Sequence, residues 1–192
     1  TYMEQASFAS FHHYAEWANA DHKVYTCNAW GRRKPEIVKA ECEKTDYLLW
    51  ADSDAVVKTP LKLHILENII AQNNIALLAG VDYKDTNSKV YHKTIEFVDF
   101  FNDGIFAVNC KRASMLLTQW SSYTKHITDD QLALQHMARS NSIFSKKIKY
   151  EFTFLGAYSK YFAHYAGAYR DKFPKKLPTK LVQTLKCPPM RG

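Results

Sequence analysis

Tyr47-Leu48-Leu49-Trp50-Ala51-Asp52-Ser53-Asp54 is an apolar run of strand length that ends in two carboxylates separated by one small residue. A strand that buries Leu48, Leu49 and Trp50 delivers Asp52 and Asp54 to the carboxyl edge of a sheet, where open α/β folds bind their ligands. Residues two apart on a strand point the same way. Where the strand leaves the sheet, both carboxylates, or one and a water, therefore reach a single hard cation. Two anions held that close without a cation raise each other's pKa, so an ion is the natural third party. Asp-Ser-Asp is also ordinary turn and helix-capping chemistry. Its flanks favour the sheet edge: a buried strand precedes it, and Val56, Val57 and then Thr59-Pro60 follow, read as a helix cap with proline at the first helical position.

Working outward, Glu4 to Trp17 has a helix-compatible aromatic and alanine pattern, and Val24 to Cys27 reads as a short strand. Gly31 to Lys34 reads as a basic loop, with a helix from Pro35 to Glu43 that turns Ile37, Val38 and Cys42 inward. Beyond the acidic pair, Leu61 to Gln72 carries Leu63, Leu66, Ile69 and Ile70 at helical spacing, and Asn73-Asn74 breaks it before the apolar strand Ile75 to Val81. Strand, helix and strand in that order make a βαβ unit. Asp82 to Lys93 is a polar loop, and Phe97 to Phe101 is an aromatic cluster leading through the turn Asn102-Asp103-Gly104 into the strand Ile105 to Val108. Helices are expected from about Arg112 to Tyr123 and from about Thr128 to Arg139. Asp129 and Asp130 in the first turn of the latter suit the helix dipole.

The 192 residues fit one domain large enough to bury a core, and 46% hydrophobic content is that of a globular chain. No uninterrupted apolar segment approaches a membrane span and no charged-then-apolar leader opens the chain, so it is read as soluble and cytoplasmic. Cys27, Cys42, Cys110 and Cys187 contain no Cys-x-x-Cys, which suggests neither a zinc knuckle nor a disulfide framework and points to a reducing compartment. Much of the formal charge of +7 sits in Lys172, Lys175, Lys176, Lys180, Lys186 and Arg191. A positive field favours a diphosphate as well as a nucleic acid, so charge alone does not choose between them.

Taken in order, four segments resemble the GT-A nucleotide-sugar glycosyltransferases, particularly the retaining galactosyl- and xylosyltransferase type, including such domains at the amino ends of large chlorella-virus proteins. Pro35-Glu36-Ile37-Val38-Lys39 looks like the family's helix with a lysine upstream of the motif strand, and Leu49-Trp50-Ala51-Asp52-Ser53-Asp54-Ala55 looks like its metal motif. Asn102-Asp103-Gly104-Ile105-Phe106 resembles the segment lining the donor sugar, and His164-Tyr165-Ala166-Gly167 resembles the late metal loop. The likeness spans roughly Val24 to Lys172. It departs where the family places a lysine six positions beyond the histidine, since that place is Arg170 here, with Lys172 nearby; arginine binds phosphate as a planar fork and lysine as a point charge.

The resemblance implies an α/β single domain of GT-A (Rossmann-like) type over residues 1–172, with a central mostly parallel sheet flanked by helices, and a basic Pro/Lys-rich arm or linker over 173–192. It implies Asp52, Asp54 and His164 as ligands of Mn²⁺ or Mg²⁺, the imidazole favouring manganese. Thr1, Tyr2, Lys39, Ser53, Gly167, Arg170 and Lys172 are then expected around the nucleotide and diphosphate, and Asn102, Asp103, Gly104 and Gln131 around the sugar and acceptor. Asp130, then Asp129, is expected on the sugar face opposite the leaving group. The implied partners are a nucleotide-sugar donor, by default a UDP-sugar, and a glycan or glycoprotein acceptor, with no nucleic acid and no membrane span. Two alternatives stand beside this. Lys146-Lys147-Ile148-Lys149-Tyr150 interleaves cations and aromatics as a nucleic-acid binder does, and Asp-x-Asp is also the nucleophile and acid pair of metal-dependent phosphohydrolases.

Overall fold

Thr1 and Glu4 start the first helix reciprocally. Thr1 Oγ1 accepts from the Glu4 N–H at 3.3 Å, and the Glu4 carboxylate accepts from the Thr1 amino group at 2.6 Å. This capping box opens α1 (Tyr2–Ala18), which ends at Asn19 in the left-handed region, φ 52°, a conformation asparagine tolerates. The computed structural model describes residues 1–27, 30–81, 101–150, 154–156, 159–165, 167–179 and 183–187. After α1 come β1 (Val24–Thr26), α2 (Trp30–Cys42), β2 (Tyr47–Ala51), β3 (Ala55–Val57), α3 (Leu63–Gln72) and β4 (Leu77–Val81). Then follow β5 (Phe101–Asn109), α4 (Cys110–Thr124), α5 (Asp130–Ser140), the short α6 (Ser142–Ser145) and β6 (Ile148–Tyr150). The described chain closes with β7 (Phe162–His164), a 3₁₀ helix (Gly167–Lys172) and β8 (Thr184–Lys186).

The central sheet has the order β2-β5-β4-β6. Strands β2, β4 and β6 run one way, and β5 lies antiparallel between β2 and β4, with Leu49 opposite Ala107 and Trp50 opposite Phe106. The predicted βαβ unit is present as β2, α3 and β4, with β5 inserted between its two strands. Side chains alternate across the sheet with the period of two that strands impose. Leu48, Trp50, Phe106 and Val108 face Val38 of α2, Leu116, Leu117 and Trp120 of α4, and Leu134 and Met137 of α5. Tyr47, Leu49, Ile105 and Ala107 face Phe11 and Tyr14 of α1 and Leu66 and Ile70 of α3. Both faces are thus covered, the arrangement expected when strands read as near-continuous apolar runs.

Several boundaries differ from the sequence reading, each for a local reason. Helix α2 begins at Trp30 and runs through Pro35, so the segment read as a basic loop is helical; Pro35 forfeits one intrahelical bond, and packing of α2 on α4 holds the helix across it. Thr59-Pro60 does not cap α3, which starts at Leu63 after Lys62 with no side-chain cap. Leu61 is buried and its carbonyl accepts the Tyr14 hydroxyl, which keeps the chain extended past the proline. Asn102-Asp103-Gly104 is not a turn before a strand but part of β5. The polar loop over 82–93 and residues 97–100 of the aromatic cluster lie outside the described residues, while Phe101 opens β5.

Two small sheets flank the main one: β3 pairs antiparallel with β7, and β1 pairs parallel with β8. Beyond the 3₁₀ helix, Phe173 is buried with Ala6, Val56, Ala163 and Tyr165. The Tyr2 hydroxyl donates to the Pro174 carbonyl at 3.2 Å and accepts from the Leu177 N–H at 2.7 Å. The cysteines, read as unpaired, form Cys27–Cys187 and Cys42–Cys110, with Cα separations of 5.3 and 4.9 Å. Both lie within the range a disulfide needs. Spacing could not reveal this, because β1 meeting β8 and α2 meeting α4 bring together residues 160 and 68 positions apart. Among the described residues no helix is long and apolar enough to cross a membrane.

Candidate active site

Strand β2 delivers its acidic end as the alternation requires. The Asp52 N–H donates to the Gly104 carbonyl at 2.7 Å, which keeps Asp52 on the sheet for one residue beyond the strand. The Asp52 carbonyl then accepts from the Ala55 N–H at 3.0 Å, closing a turn that throws the chain into β3. Because Ala55 is registered opposite His164, and the Asp54 carbonyl accepts from the Tyr165 N–H at 3.0 Å, Asp54 is brought against the imidazole. His164 Nε2 lies 2.9 Å from Asp54 Oδ1, and both residues are buried. One ligand atom from each of Asp52, Asp54 and His164 falls within 4.8 Å of the others. Two carboxylate oxygens and one imidazole nitrogen at that spacing form a donor set able to hold a divalent ion.

Gly104 makes room for it. A Cβ at this position would overlap the His164 ring, so the close approach of β5 to the imidazole needs a residue without a side chain. Two clefts of about 620 and 580 Å³ among the described residues include neither the two aspartates nor His164. The ligand cluster itself, rather than a cavity, marks the site.

A second group of charges adjoins the first through Lys34, which is 3% exposed. Its ammonium lies 3.1 Å from Asp52 Oδ2, 2.7 Å from Asp130 Oδ2 and 3.3 Å from Asp103 Oδ2, and donates to the Asp103 carbonyl at 3.1 Å. Burial alone would lower the Lys34 pKa, but attraction to Asp103, Asp52 and Asp130 more than offsets it, and the ammonium is raised above its ordinary value. Burial pushes the Asp103 carboxyl well above the usual carboxylate range; Lys34 pulls the other way, and Asp130 and Asp52 add to the rise. For Asp54, burial opposes ionisation, yet the hydrogen bond and charge of His164, joined by Arg170, hold its carboxyl below the usual range. Arg170 Nη2 stands 3.4 Å from Asp54 Oδ2, and the Trp50 indole N–H donates to Asp52 Oδ1 at 2.8 Å.

Of the residues expected from sequence, Asp52, Asp54 and His164 come together, Arg170 joins them, and Asp103 and Asp130 adjoin through Lys34. Ser53 is exposed in the turn between the two aspartates, Gly167 opens the 3₁₀ helix and Lys172 ends it. Asn102 is buried, and its Oδ1 accepts from the Gly104 N–H at 2.8 Å, a bond that shapes the strand. Gln131 lies in the first turn of α5, half-buried. Asp129 caps α5, its Oδ1 accepting from the Leu132 N–H at 2.8 Å. Thr1 and Tyr2 are engaged in the start of α1 and in the 174–177 segment. Lys39, half-buried in the last turn of α2, forms no ion pair with these carboxylates among the described residues. Lys34 escaped the reading. It shares a helical face with buried Ile37 and Val38, three and four positions on, a signal visible only if the helical period is carried back through Pro35.

No protein-family model matches the sequence, and no curated protein matches it. Among solved structures, the chain is similar to the crystal structure of a glycosyltransferase involved in the glycosylation of the major capsid of PBCV-1. The TM-score is 0.61 at 16% identity, over 88% of this chain and 91% of that one. It is also similar to the galactosyltransferase LgtC in complex with donor and acceptor sugar analogs, with a TM-score of 0.49 at 15% identity over 93% and 81% of the two chains. The first likeness shows that this chain has the GT-A glycosyltransferase fold.

Proposed function

We propose that the chain is a metal-dependent glycosyltransferase that moves a sugar, with retention, from a nucleotide diphosphate sugar to a glycan or glycoprotein acceptor, the default donor being a UDP-sugar. The observation that supports this best is the convergence of Asp52, Asp54 and His164 at the carboxyl end of β2, with a guanidinium alongside, on a GT-A fold. Fold alone would not carry the activity, because one fold hosts many chemistries; the site does. Asp52, Asp54 and His164 would hold Mn²⁺, or Mg²⁺, and the bound ion supplies positive charge to the departing diphosphate.

The chain's own residues do the rest. Arg170, with Lys172 in the same last turn of the short helix, meets the diphosphate oxygens, where a planar fork makes two parallel bonds. Asp130, rather than Asp129, is assigned to the sugar face. Asp129 spends an oxygen on the helix cap, whereas the Asp130 carboxylate is fixed in direction by Lys34, which also holds Asp52. On that face it steadies the positive charge that builds as the sugar leaves, or attacks transiently. Asp103, pushed toward its protonated form by burial, hydrogen-bonds the Asp130 carboxyl and so helps to fix its direction.

A thermal-shift panel of nucleoside diphosphates and nucleotide sugars, with and without Mn²⁺, tests the reading. Stabilisation by nucleotides of one base, only when metal is present, is the expected result, and Asp54→Asn should abolish it and lower transfer roughly 100- to 1,000-fold. Stabilisation by single-stranded nucleic acid without metal, or full transfer by Asp54→Asn after strict metal depletion, would reject it.

A further inference from the structure

Every oxygen of the two carboxylates proposed as metal ligands already has a partner within the protein. Asp52 accepts from Trp50 on Oδ1 and from Lys34 on Oδ2. Asp54 meets His164 on Oδ1 and Arg170 on Oδ2. A divalent ion that takes an oxygen of either aspartate is set beside one of these partners, and where that partner is Lys34 or Arg170 the like charges repel; the two cations differ sharply in how easily they yield.

Lys34 is anchored. Its side chain is 4% exposed and serves three carboxylates, so drawing it away would leave buried negative charge unpaired. Arg170 is the opposite case. Its side chain is 62% exposed, and its 3.4 Å contact with Asp54 is longer than the ~2.7–2.9 Å of a strong charge-assisted hydrogen bond. Water can take over the guanidinium at little cost, because Arg170 and the two residues that follow it in the 3₁₀ helix are exposed. His164, though also on Asp54, can serve an ion with the same nitrogen once its proton sits on the other ring atom, so it need not leave.

We infer that Arg170 is an exchangeable counter-ion, shared between Asp54 Oδ2 and the diphosphate of the donor. An ion binding Asp54 releases the guanidinium for phosphate, and a diphosphate that captures the guanidinium frees Asp54 for the ion. By linkage the two effects are equal in size. This rests on Asp54 being a metal ligand and adds a sign that a simple phosphate-binding arginine does not have: removing Arg170 strengthens binding of the metal by itself while weakening binding of the diphosphate.

Calorimetric titration separates these cases, using Mn²⁺ alone and then inorganic pyrophosphate at saturating Mn²⁺. The proteins are the parent chain, Arg170→Gln and, as a control of equal charge in the same region, Lys175→Gln. Arg170→Gln should bind Mn²⁺ alone roughly two- to fivefold more tightly, the size expected for release from an exposed ion pair. It should bind pyrophosphate on the order of tenfold more weakly, as for loss of a hydrogen bond to a charged group. Lys175→Gln should match the parent in the Mn²⁺ titration. Equal Mn²⁺ affinity in the parent and Arg170→Gln overturns the exchange, and so does an equal gain in Lys175→Gln, which would reflect the general field of the surface. Failure of all three proteins to bind Mn²⁺ would instead overturn the metal reading of Asp54, and the exchange with it.

Discussion

Lys34 holds together a corner of the molecule that its neighbours alone would push apart. Asp52, Asp103 and Asp130 converge on one buried ammonium; Asp103 is buried with it, the Asp130 and Asp52 side chains stay 17% and 32% exposed, and crowding of the three carboxyls disfavours their ionisation once the ammonium is lost. Lys34→Met keeps most of the side-chain volume and removes the charge together with its hydrogen-bond donors. It should lower unfolding stability by about 3–5 kcal/mol, the cost of breaking a buried ionic network by removing one member, read as a fall in urea midpoint with unchanged slope. A loss below ~1 kcal/mol would mean that the carboxylates relax apart. At this scale the sequence was half legible. Asp52 and Asp54 could be read because a strand's alternation and its end are local facts, and His164 because glycine follows it at close range. Lys34 could not, because a proline next to a run of cations reads as a loop until tertiary packing overrides it.

Among the elements, the joint between β1 and α2 turns on Glu41. Its carboxylate accepts from Lys23 at 2.5 Å, from Lys44 at 2.6 Å and from the Tyr25 hydroxyl at 2.7 Å, so a residue of α2 grips both β1 and the chain leading into it. Burial works against ionisation here, but the hydrogen bonds from Lys23, Lys44 and Tyr25 outweigh it and bring the carboxyl down to about 2. A carboxyl lowered in the folded state adds stability that is fully present above its ordinary value of 4.5 and is lost as pH falls through about 2. The stability advantage of the parent over Glu41→Gln should therefore be constant from neutrality to about pH 5, shrink below it and vanish near pH 2, as followed by urea midpoints. An advantage independent of pH would assign the effect to packing. The order of elements around the acidic turn was legible from periodicity, whereas the length of β5 was not. Asn102-Asp103-Gly104 has the composition of a turn, and it is extended because pairing with β4 and the need for a bare backbone beside His164 prevail over local preference.

At the scale of the whole molecule, the two disulfides act on different spans. Cys27–Cys187 ties the β1 and β8 ribbon together, and Cys42–Cys110 fastens the end of α2 to the start of α4. Thiol counting without reductant should find no free cysteine, and dithiothreitol should lower the melting temperature by an amount corresponding to about 2–5 kcal/mol per bridge. Four reactive thiols in the native protein would restore the reading made from spacing. Architecture of this kind, a sheet covered on both faces with its acidic turn at one rim, was foreseeable from the chain, since it follows from hydrophobic patterning; which cysteines meet was not, since that depends on closure of the fold. The pairing of β3 with β7 has one more consequence. Asp54 and His164 stand 110 residues apart, and the imidazole arrives only when β7 aligns with a strand made long before it. A growing polypeptide thus gains its third donor atom only 110 residues after Asp54, and a premature stop between the acidic turn and β7 leaves a product that keeps the turn but has no ring nitrogen to set beside it.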